Sequence, residues 1–324
     1  MSIGFEDYLG ILKQRMDDAF GKALSTLLEN APMENTASLM EILQAGKKIR
    51  GSLSCMIGEA LGGTLEATIP RAVAVELIQA ATLIHDDFVD QDTLRRNRPA
   101  AWTLEGARRA VLIGDVIFAT AIKMMNDLGR EDGLAVSHAI AQVAKGALRE
   151  PLDPLDVIRE IESHSLDGQW YDKIIHLKTG ILFGTACRLG AIAANADGGT
   201  REISYRYGLR IGEAYQIADD MKEMNHHLLT RSIRPGQMAP LVPAFLHFAD
   251  GMGPHILKVL RGESPEVDDP VWEFFGRAVM LMEKAIEDRL KSAVSEIQED
   301  FATGQYRKLV RKAPWDLIRL FNLY

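Results

Sequence analysis

An acidic motif at the end of an apolar segment is the part of this sequence best suited to chemistry. Asp86, Asp87 and Asp90 form an Asp-Asp-x-x-Asp pattern, so Asp86 and Asp90 would stack one turn apart on one face of a helix. Like charges placed in this way destabilise a bare helix unless a divalent cation lies between them. Mg²⁺ prefers oxygen ligands, usually one or two carboxylates together with water and substrate phosphate oxygens. The motif therefore predicts a magnesium site.

Arginine residues follow this acidic motif closely, at Arg95, Arg96 and Arg98. A guanidinium group matches a phosphate group with two parallel hydrogen bonds. Carboxylates that hold a metal, followed by cations that hold phosphate, indicate a site for a diphosphate bound together with magnesium.

A second acidic motif lies far downstream, where Gln216 precedes Asp219, Asp220 and Glu223 on another apolar segment. A single acidic cluster on a helix is most often a solvated face. Two independent motifs in one chain favour metal binding over that simpler interpretation.

The elements that carry these motifs are expected to be helices, because apolar residues recur at steps of three and four along most of the chain. The first motif helix is expected to open at Pro70, since proline is tolerated in the first helical turn. The second motif helix is expected over residues 202–229. Few alternating β-branched runs occur, so little sheet is expected. The sequence predicts an all-α, single-domain helical bundle over residues 1–324, packed around a central cavity.

Composition narrows the range of functions. The 324 residues carry a net charge of −8 and 47% hydrophobic residues, which argues against a nucleic-acid partner and supports a substantial core. Cys55 and Cys187 lie in apolar contexts and are expected to be buried free thiols. The sequence shows no apolar leader and no uncharged apolar stretch long enough to span a membrane. The expectation is a cytoplasmic protein without a transmembrane segment.

Taken together, these motifs resemble those of the trans-isoprenyl diphosphate synthases, or polyprenyl synthetases. The resemblance extends from about Gly46 to the C-terminus and depends on five segments in combination: Gly46 to Arg50, Gln79 to Arg96, Gly114-Asp115, Lys178-Thr179, and Gln216 to Glu223. It implies the isoprenoid synthase type I fold. It also implies a Mg²⁺-dependent, chain-elongating prenyltransferase that condenses isopentenyl diphosphate with an allylic diphosphate to give an all-trans polyprenyl diphosphate.

The resemblance also implies a role for each matching residue. About three Mg²⁺ ions per active site would be held by Asp86, Asp87, Asp90, Asp219, Asp220 and Glu223. Catalysis would involve the first motif together with Lys178, Thr179 and Gln216, and the allylic diphosphate would also contact Arg95. The homoallylic isopentenyl diphosphate would be bound by Gly46, Lys47, Arg50, Gln79 and Arg96. Such proteins are usually homodimers, and the apolar run from Ala107 to Met125 is the expected contact surface.

Product length is expected to follow from the depth of the apolar pocket beneath the first motif. Ala81 and Thr82, five and four residues before Asp86, would line the path of the growing prenyl chain. Both side chains are small, which predicts a product of C20 or longer, as made by a geranylgeranyl diphosphate synthase or a longer-chain enzyme.

Departures from the family pattern keep two alternatives open. Glu223 stands where relatives have aspartate, and Gln237 stands where many have a lysine that helps to hold the allylic diphosphate. Ala147 replaces glutamate in a Gly-Glu-x-x-Gln segment that ends here at Glu150. These departures would suit an inactive regulatory subunit of a prenyl synthase. A class I terpene cyclase is the other alternative, although the intact isopentenyl diphosphate residues argue for a second diphosphate substrate.

Overall fold

The protein is described by a computed structural model that covers residues 3–29, 35–151, 153–163, 169–249, 251, 253–263 and 269–321. Helices dominate this part of the chain, and its only sheet is a two-stranded antiparallel ribbon, β1 (Leu94–Arg95) and β2 (Arg98–Pro99). The prediction of an all-α fold is therefore confirmed. In the first part of the chain the helices are α1 (Phe5–Leu28), α2 (Thr36–Gln44), α3 (Ile49–Ala60), α4 (Leu65–Val89), α5 (Ala101–Glu105), α6 (Ala107–Leu128) and α7 (Arg130–Ala147). Those that follow are α8 (Pro154–Glu162), α9 (Trp170–Ile175), α10 (Ile181–Ala193), α11 (Gly198–Thr230), α12 (Pro235–Met238), α13 (Val242–Phe248), α14 (Gly253–Leu260), α15 (Asp269–Glu296) and α16 (Tyr306–Arg319), with a short 3₁₀ turn at Ala239–Leu241.

Contacts between Cα atoms divide the chain into two compact units. The first unit comprises Met1–Ala141, Leu182–Gly208 and Glu296–Ala313, and the second comprises Gln142–Ile181, Leu209–Ser295 and Pro314–Tyr324. The single-domain assignment stays a prediction.

Cys55 and Cys187 both belong to the first unit and are buried free thiols, as the sequence predicted.

The long helix α4 is the centre of the first unit, where it packs mainly on α3 and α6. Thr64 caps its N-terminus by accepting a hydrogen bond from the backbone N–H of Ala67 at 3.3 Å, so the helix begins at Leu65. The expected start at Pro70 is wrong. A proline inside a helix removes one backbone hydrogen bond, and the cap and the buried face of α4 outweigh that loss.

By length and hydropathy alone, α4 is also long and apolar enough to cross a membrane. In the structure, 61% of its most apolar window is buried inside the protein. Burial of this kind is typical of the core helix of a globular unit, and packing on α3 and α6 accounts for the apolar side chains.

The second unit has an apolar core of its own, formed mainly by residues of α11, α13, α14 and α15. Phe245 and Phe275 belong to it with their ring centroids 4.3 Å apart, and Met221 and Met282 are buried in the same core. Tyr171 packs into the same cluster from α9. This core fixes the elements that carry the second acidic motif.

A π-helical turn, His176–Gly180, joins α9 to α10. A side chain on Gly180 would come within 3.1 Å of Leu209 and 3.2 Å of Glu213, so α11 packs closely against this turn. Turns of this type insert one extra residue into a helix and occur frequently at functional sites. Lys178 and Thr179 lie within it.

Candidate active site

The first acidic motif occupies the C-terminal end of α4. Asp86 and Asp87 lie in its last turn, and Asp90 is the C-cap, whose N–H donates to the Asp86 carbonyl at 2.8 Å. Asp87 is buried, Asp86 is half-buried and Asp90 is exposed. A helix C-terminus carries a partial negative charge of its own, so these carboxylates concentrate a field that attracts cations.

Asp87 is engaged within the protein by the first of the arginines. The Nε–H of Arg95 donates to Asp87 Oδ1, and the Asp87 side chain is only 3% exposed. Burial raises the pKa of Asp87, the charge and hydrogen bond of Arg95 oppose that rise, and Asp92 and Asp90 add to it. Asp86 and Asp90 are thus the members of the motif better placed to meet a cation that arrives from solvent.

The arginines are held by the ribbon, which the sequence pattern did not reveal. Arg96 and Asn97 form its two-residue turn with φ angles of 51° and 60°, the geometry of a type I′ turn. Left-handed backbone is unusual for arginine, whereas asparagine tolerates it. The turn therefore fixes the directions of Arg95 and Arg96, and it places backbone strain at Arg96. Strained backbone of this kind is common at functional sites.

Arg96 faces the segment that the resemblance assigns to isopentenyl diphosphate. Its guanidinium donates to the Ala45 carbonyl, and a side chain on Gly46 would lie 3.1 Å from it. Lys47 is exposed beside it. The guanidinium of Arg50 lies over the Phe183 ring, 4.5 Å from its centroid, in a cation–π contact. Arg96 is thus brought to Gly46 within the first unit, whereas Arg50 contacts Phe183.

Glu76 supports this segment and was missed by the sequence analysis. It is buried on α4, three residues before the half-buried Gln79, and its Oε1 accepts the Gly51 N–H at the start of α3 at 2.7 Å. Burial raises the pKa of Glu76, while the Gly51 and Arg50 backbone N–H groups and the charges of Arg50 and Lys48 oppose that rise. A lone carboxylate on an apolar helix face was the signal that could have revealed it.

A small cavity of about 30 Å³ lies between α2, α4 and the ribbon in the first unit. Its lining includes Asp87, Arg95 and Arg96, together with apolar side chains such as Ile84. This space therefore touches residues of both predicted diphosphate subsites.

The second acidic motif is organised by a chain of hydrogen bonds within the second unit. Thr179 Oγ1 donates to Gln216 Oε1 at 2.6 Å, and Gln216 Nε2 donates to Asp220 Oδ1 at 2.9 Å. The hydroxyl of Tyr171 donates to Asp220 Oδ2 at 2.6 Å. Both Asp220 oxygens are thus held in place, and Tyr171 is a contributor that the sequence did not single out.

Burial raises the pKa of Asp220 to about 7; the Tyr171 and Gln216 hydrogen bonds lower it, and the charges of Asp219 and Glu150 raise it. Asp219 and Glu223 are exposed on the same helix. Lys178, from the π-helical turn, forms an ion pair with Glu150. The second unit therefore places acidic groups, the Lys178 cation and an oriented amide on neighbouring elements.

Residues 34–227 match the family model described as polyprenyl synthetase. The chain belongs to the polyprenyl synthetase family. Among its relatives, a geranylgeranyl diphosphate synthase of Mycobacterium tuberculosis is 36% identical over 184 residues, which are 55% of this chain and 50% of that protein. A geranylfarnesyl diphosphate synthase of Aeropyrum pernix is 34% identical over 300 residues, which are 86% of this chain and 84% of that protein.

The match spans only about half the length of two of these relatives, the M. tuberculosis protein and a geranylgeranyl diphosphate synthase of Methanosarcina mazei, at 50% and 55%. Solved structures are matched over nearly their full length. A crystallised geranylgeranyl pyrophosphate synthase aligns with a TM-score of 0.77 at 20% identity, covering 96% of this chain and 98% of that one. The geranylgeranyl pyrophosphate synthetase of Pyrococcus horikoshii aligns with a TM-score of 0.75 at 22% identity, covering 97% and 98%. The fold of this polyprenyl synthetase is therefore that of the family.

Gln237, where the family resemblance implies a lysine, is held by local contacts. Gln237 Oε1 accepts from the Arg234 backbone N–H at 3.1 Å and from Arg234 Nε at 3.3 Å. The Arg234 cation thus lies directly beside Gln237.

His85, next to the first motif, is a packed residue in this polyprenyl synthetase. Its Nε2 lies 3.0 Å from the Val111 carbonyl oxygen, and its ring contacts Phe118 edge-on. A side chain on Gly114 would overlap the His85 ring. Because α6 approaches α4 closely at this point, only glycine fits at position 114.

The carboxylates of both motifs suit Mg²⁺ in chemical type. Among the residues that the structure describes, no three His, Cys, Asp or Glu side chains converge closely enough to hold an ion on their own. Mg²⁺ commonly binds through one or two carboxylates and takes its other ligands from water and substrate phosphate. Asp86 and Asp90, one turn apart, match that pattern.

Proposed function

We propose that this polyprenyl synthetase is a Mg²⁺-dependent trans-prenyltransferase that condenses isopentenyl diphosphate with an allylic diphosphate, giving a polyprenyl diphosphate of C20 or longer. One observation carries the proposal. Adjacent arginines of a single tight turn face two different segments, because Arg95 pairs with Asp87 and Arg96 contacts the Ala45-Gly46 backbone. Two diphosphates bound side by side would need this arrangement of cations.

The reaction would break the C1–O bond of the allylic substrate, and the electron pair would leave with diphosphate. Mg²⁺ bound by Asp86 and Asp90, and Mg²⁺ bound by Asp219, Asp220 and Glu223, would supply charge stabilisation for that leaving group, while Asp87 would hold Arg95. Arg95 and Lys178 would add fixed positive charge, and the Thr179–Gln216 hydrogen bond would orient the amide beside Asp220. Arg50 and Arg96 would hold isopentenyl diphosphate so that its alkene attacks the allylic carbon and forms the new carbon–carbon bond. The resulting cation would lose a proton from C2 of the isopentenyl unit to the released diphosphate, which restores a double bond and balances the reaction.

The direct test is incubation with isopentenyl diphosphate, farnesyl diphosphate and Mg²⁺, followed by pyrophosphate assay and product analysis. Pyrophosphate release with extension by five-carbon units is expected. Release without extension would favour a terpene cyclase, and no release would favour a regulatory subunit.

Chain length provides a first prediction for this reaction. Ala81 is fully buried on α4, and the neighbouring Thr82 hydroxyl donates to the Gln79 carbonyl at 2.9 Å. Ala81→Phe would place a ring across the proposed path of the growing chain, so the main product should shorten by at least one isoprene unit. Chromatography of dephosphorylated products measures this, with Ala81→Ser as a matched control of unchanged length. An Ala81→Phe enzyme with the wild-type product would reject the proposed path.

We also propose a homodimer that packs through α6, as expected from the run Ala107 to Met125. This helix exposes apolar side chains on one side, with Leu112 52% and Val116 48% exposed. Leu112→Glu combined with Val116→Glu should convert the dimer to a monomer, because charges on that face would be buried without partners. Light scattering after gel filtration measures the mass. Ile11→Glu, at an exposed apolar site on α1, should leave the dimer intact, and a dimeric double variant would contradict this surface.

A cytoplasmic location without nucleic-acid partners completes the proposal. The net charge of −8 and the two buried free thiols support it.

A further inference from the structure

The cation proposed to bind the allylic diphosphate already has an anionic partner in the protein. Lys178 Nζ donates to Glu150 Oε2, and the two side chains are only 24% and 25% exposed. A partly buried ion pair is screened less by salt and water than a surface pair. Glu150 therefore competes with any phosphate that approaches Lys178.

Close packing between α7 and the π-helical turn places Glu150 beside Lys178. A side chain on Gly146 would lie 2.7 Å from the Lys178 backbone nitrogen and 2.9 Å from Leu177 Cβ, so the last turn of α7 touches the π-helical turn directly. The indole N–H of Trp170, at the start of α9, donates to the Arg149 carbonyl at 3.4 Å. This hydrogen bond connects the segment just after α7 to α9. The contact between Glu150 and Lys178 thus follows from the packing of two elements.

Glu150 also adds negative charge beside Asp220. Its charge raises the pKa of Asp220, as the charge of Asp219 does. A diphosphate that binds Lys178 must therefore displace this carboxylate from the ion pair. Glutamine at this position would have the same shape without the charge.

We propose that Glu150 is a positioning residue that holds Lys178 in the substrate-free protein and thereby sets the affinity for the allylic diphosphate. The ion pair must open before Lys178 binds phosphate, so the affinity is lower than Lys178 alone would give. This inference rests on the proposed function, because it assigns the phosphate at Lys178 to the allylic substrate.

Glu150→Gln tests the proposal by removing the charge and keeping the shape. The KM for the allylic diphosphate should fall about three- to tenfold, the range expected when one partly buried ion pair no longer competes. The KM for isopentenyl diphosphate should not change. Glu162→Gln is the matched control, since it removes the same charge from an ion pair with Arg261 in the same unit and should alter neither constant.

A double-mutant cycle separates competition from a general charge effect. In a Lys178→Met background, Glu150→Gln should no longer change the KM for the allylic diphosphate. If Glu150→Gln still lowered the KM for the allylic diphosphate in that background, the proposal would be overturned. A KM that rises in Glu150→Gln alone would also overturn it, because Glu150 would then hold Lys178 in the position that binds phosphate.

Direct binding keeps this test independent of turnover. Calorimetric titration with inorganic pyrophosphate and Mg²⁺ should show tighter binding to Glu150→Gln than to the wild type. If the wild type extends no primer yet this difference appears, the proposed function fails and the competition at Lys178 stands. Equal affinities would reject the role of Glu150 whatever the activity.

Discussion

Replacing Asp86 by asparagine should lower kcat/KM by about 10³-fold or more while the fold is retained. A divalent cation supplies several kcal/mol of stabilisation to a departing anion, and each 1.4 kcal/mol or so is a factor of ten in rate. Asp86 is half-buried in the last turn of α4, so an amide of the same shape keeps the helix contacts and loses only the charge. Kinetics over a Mg²⁺ titration measure the loss, and circular dichroism checks the fold.

Asp87→Asn is the matched comparison, because its expected effect is different in kind. Asp87 is buried against Arg95, so its removal should disturb that arginine instead of the metal. The KM for the allylic diphosphate should rise about tenfold, roughly the worth of one charge-assisted hydrogen bond, and the Mg²⁺ concentration for half-maximal rate should stay unchanged. If both variants shifted the Mg²⁺ response equally, the division of roles between Asp86 and Asp87 would be wrong.

Local pattern was sufficient for much of this protein. Helical periodicity predicted the all-α fold, because a helix that buries one face must repeat apolar residues every three to four positions. The two acidic motifs and the Gly46 to Arg50 segment identified the family, since their spacing within helices and turns is short and fixed. The placement of Asp86 and Asp90 one turn apart followed from the same geometry.

Partnerships across the chain were not accessible in this way. Tyr171 binds Asp220 over a separation of 49 residues, and Glu76 binds Gly51 over 25. Which polar groups meet depends on how closely two helices approach, and that distance is set by small residues and packing. The ribbon at Arg95 to Arg98 escaped notice for a related reason, because its strands are two residues long and show no alternation.

Gly146→Ala tests whether such a close approach is needed for activity. An added methyl group would lie 2.7 Å from the Lys178 backbone nitrogen, so the π-helical turn with Lys178 and Thr179 must move away from α7. A displacement near 1 Å at a positioning element can cost about 10²-fold in rate, so kcat should fall by about that factor. Overpacking should also lower the free energy of unfolding by about 1–3 kcal/mol, despite the better helix propensity of alanine.

Gly276→Ala is the control that isolates the steric cause. Gly276 lies within α15 of the same unit, and an added Cβ there would meet no atom within 4 Å. Alanine should stabilise this helix by up to about 1 kcal/mol and leave kcat unchanged. Urea unfolding and steady-state kinetics measure both variants. Equal kcat for Gly146→Ala and the wild type would mean that the π-helical turn tolerates displacement, and the contact with α7 would then serve packing alone.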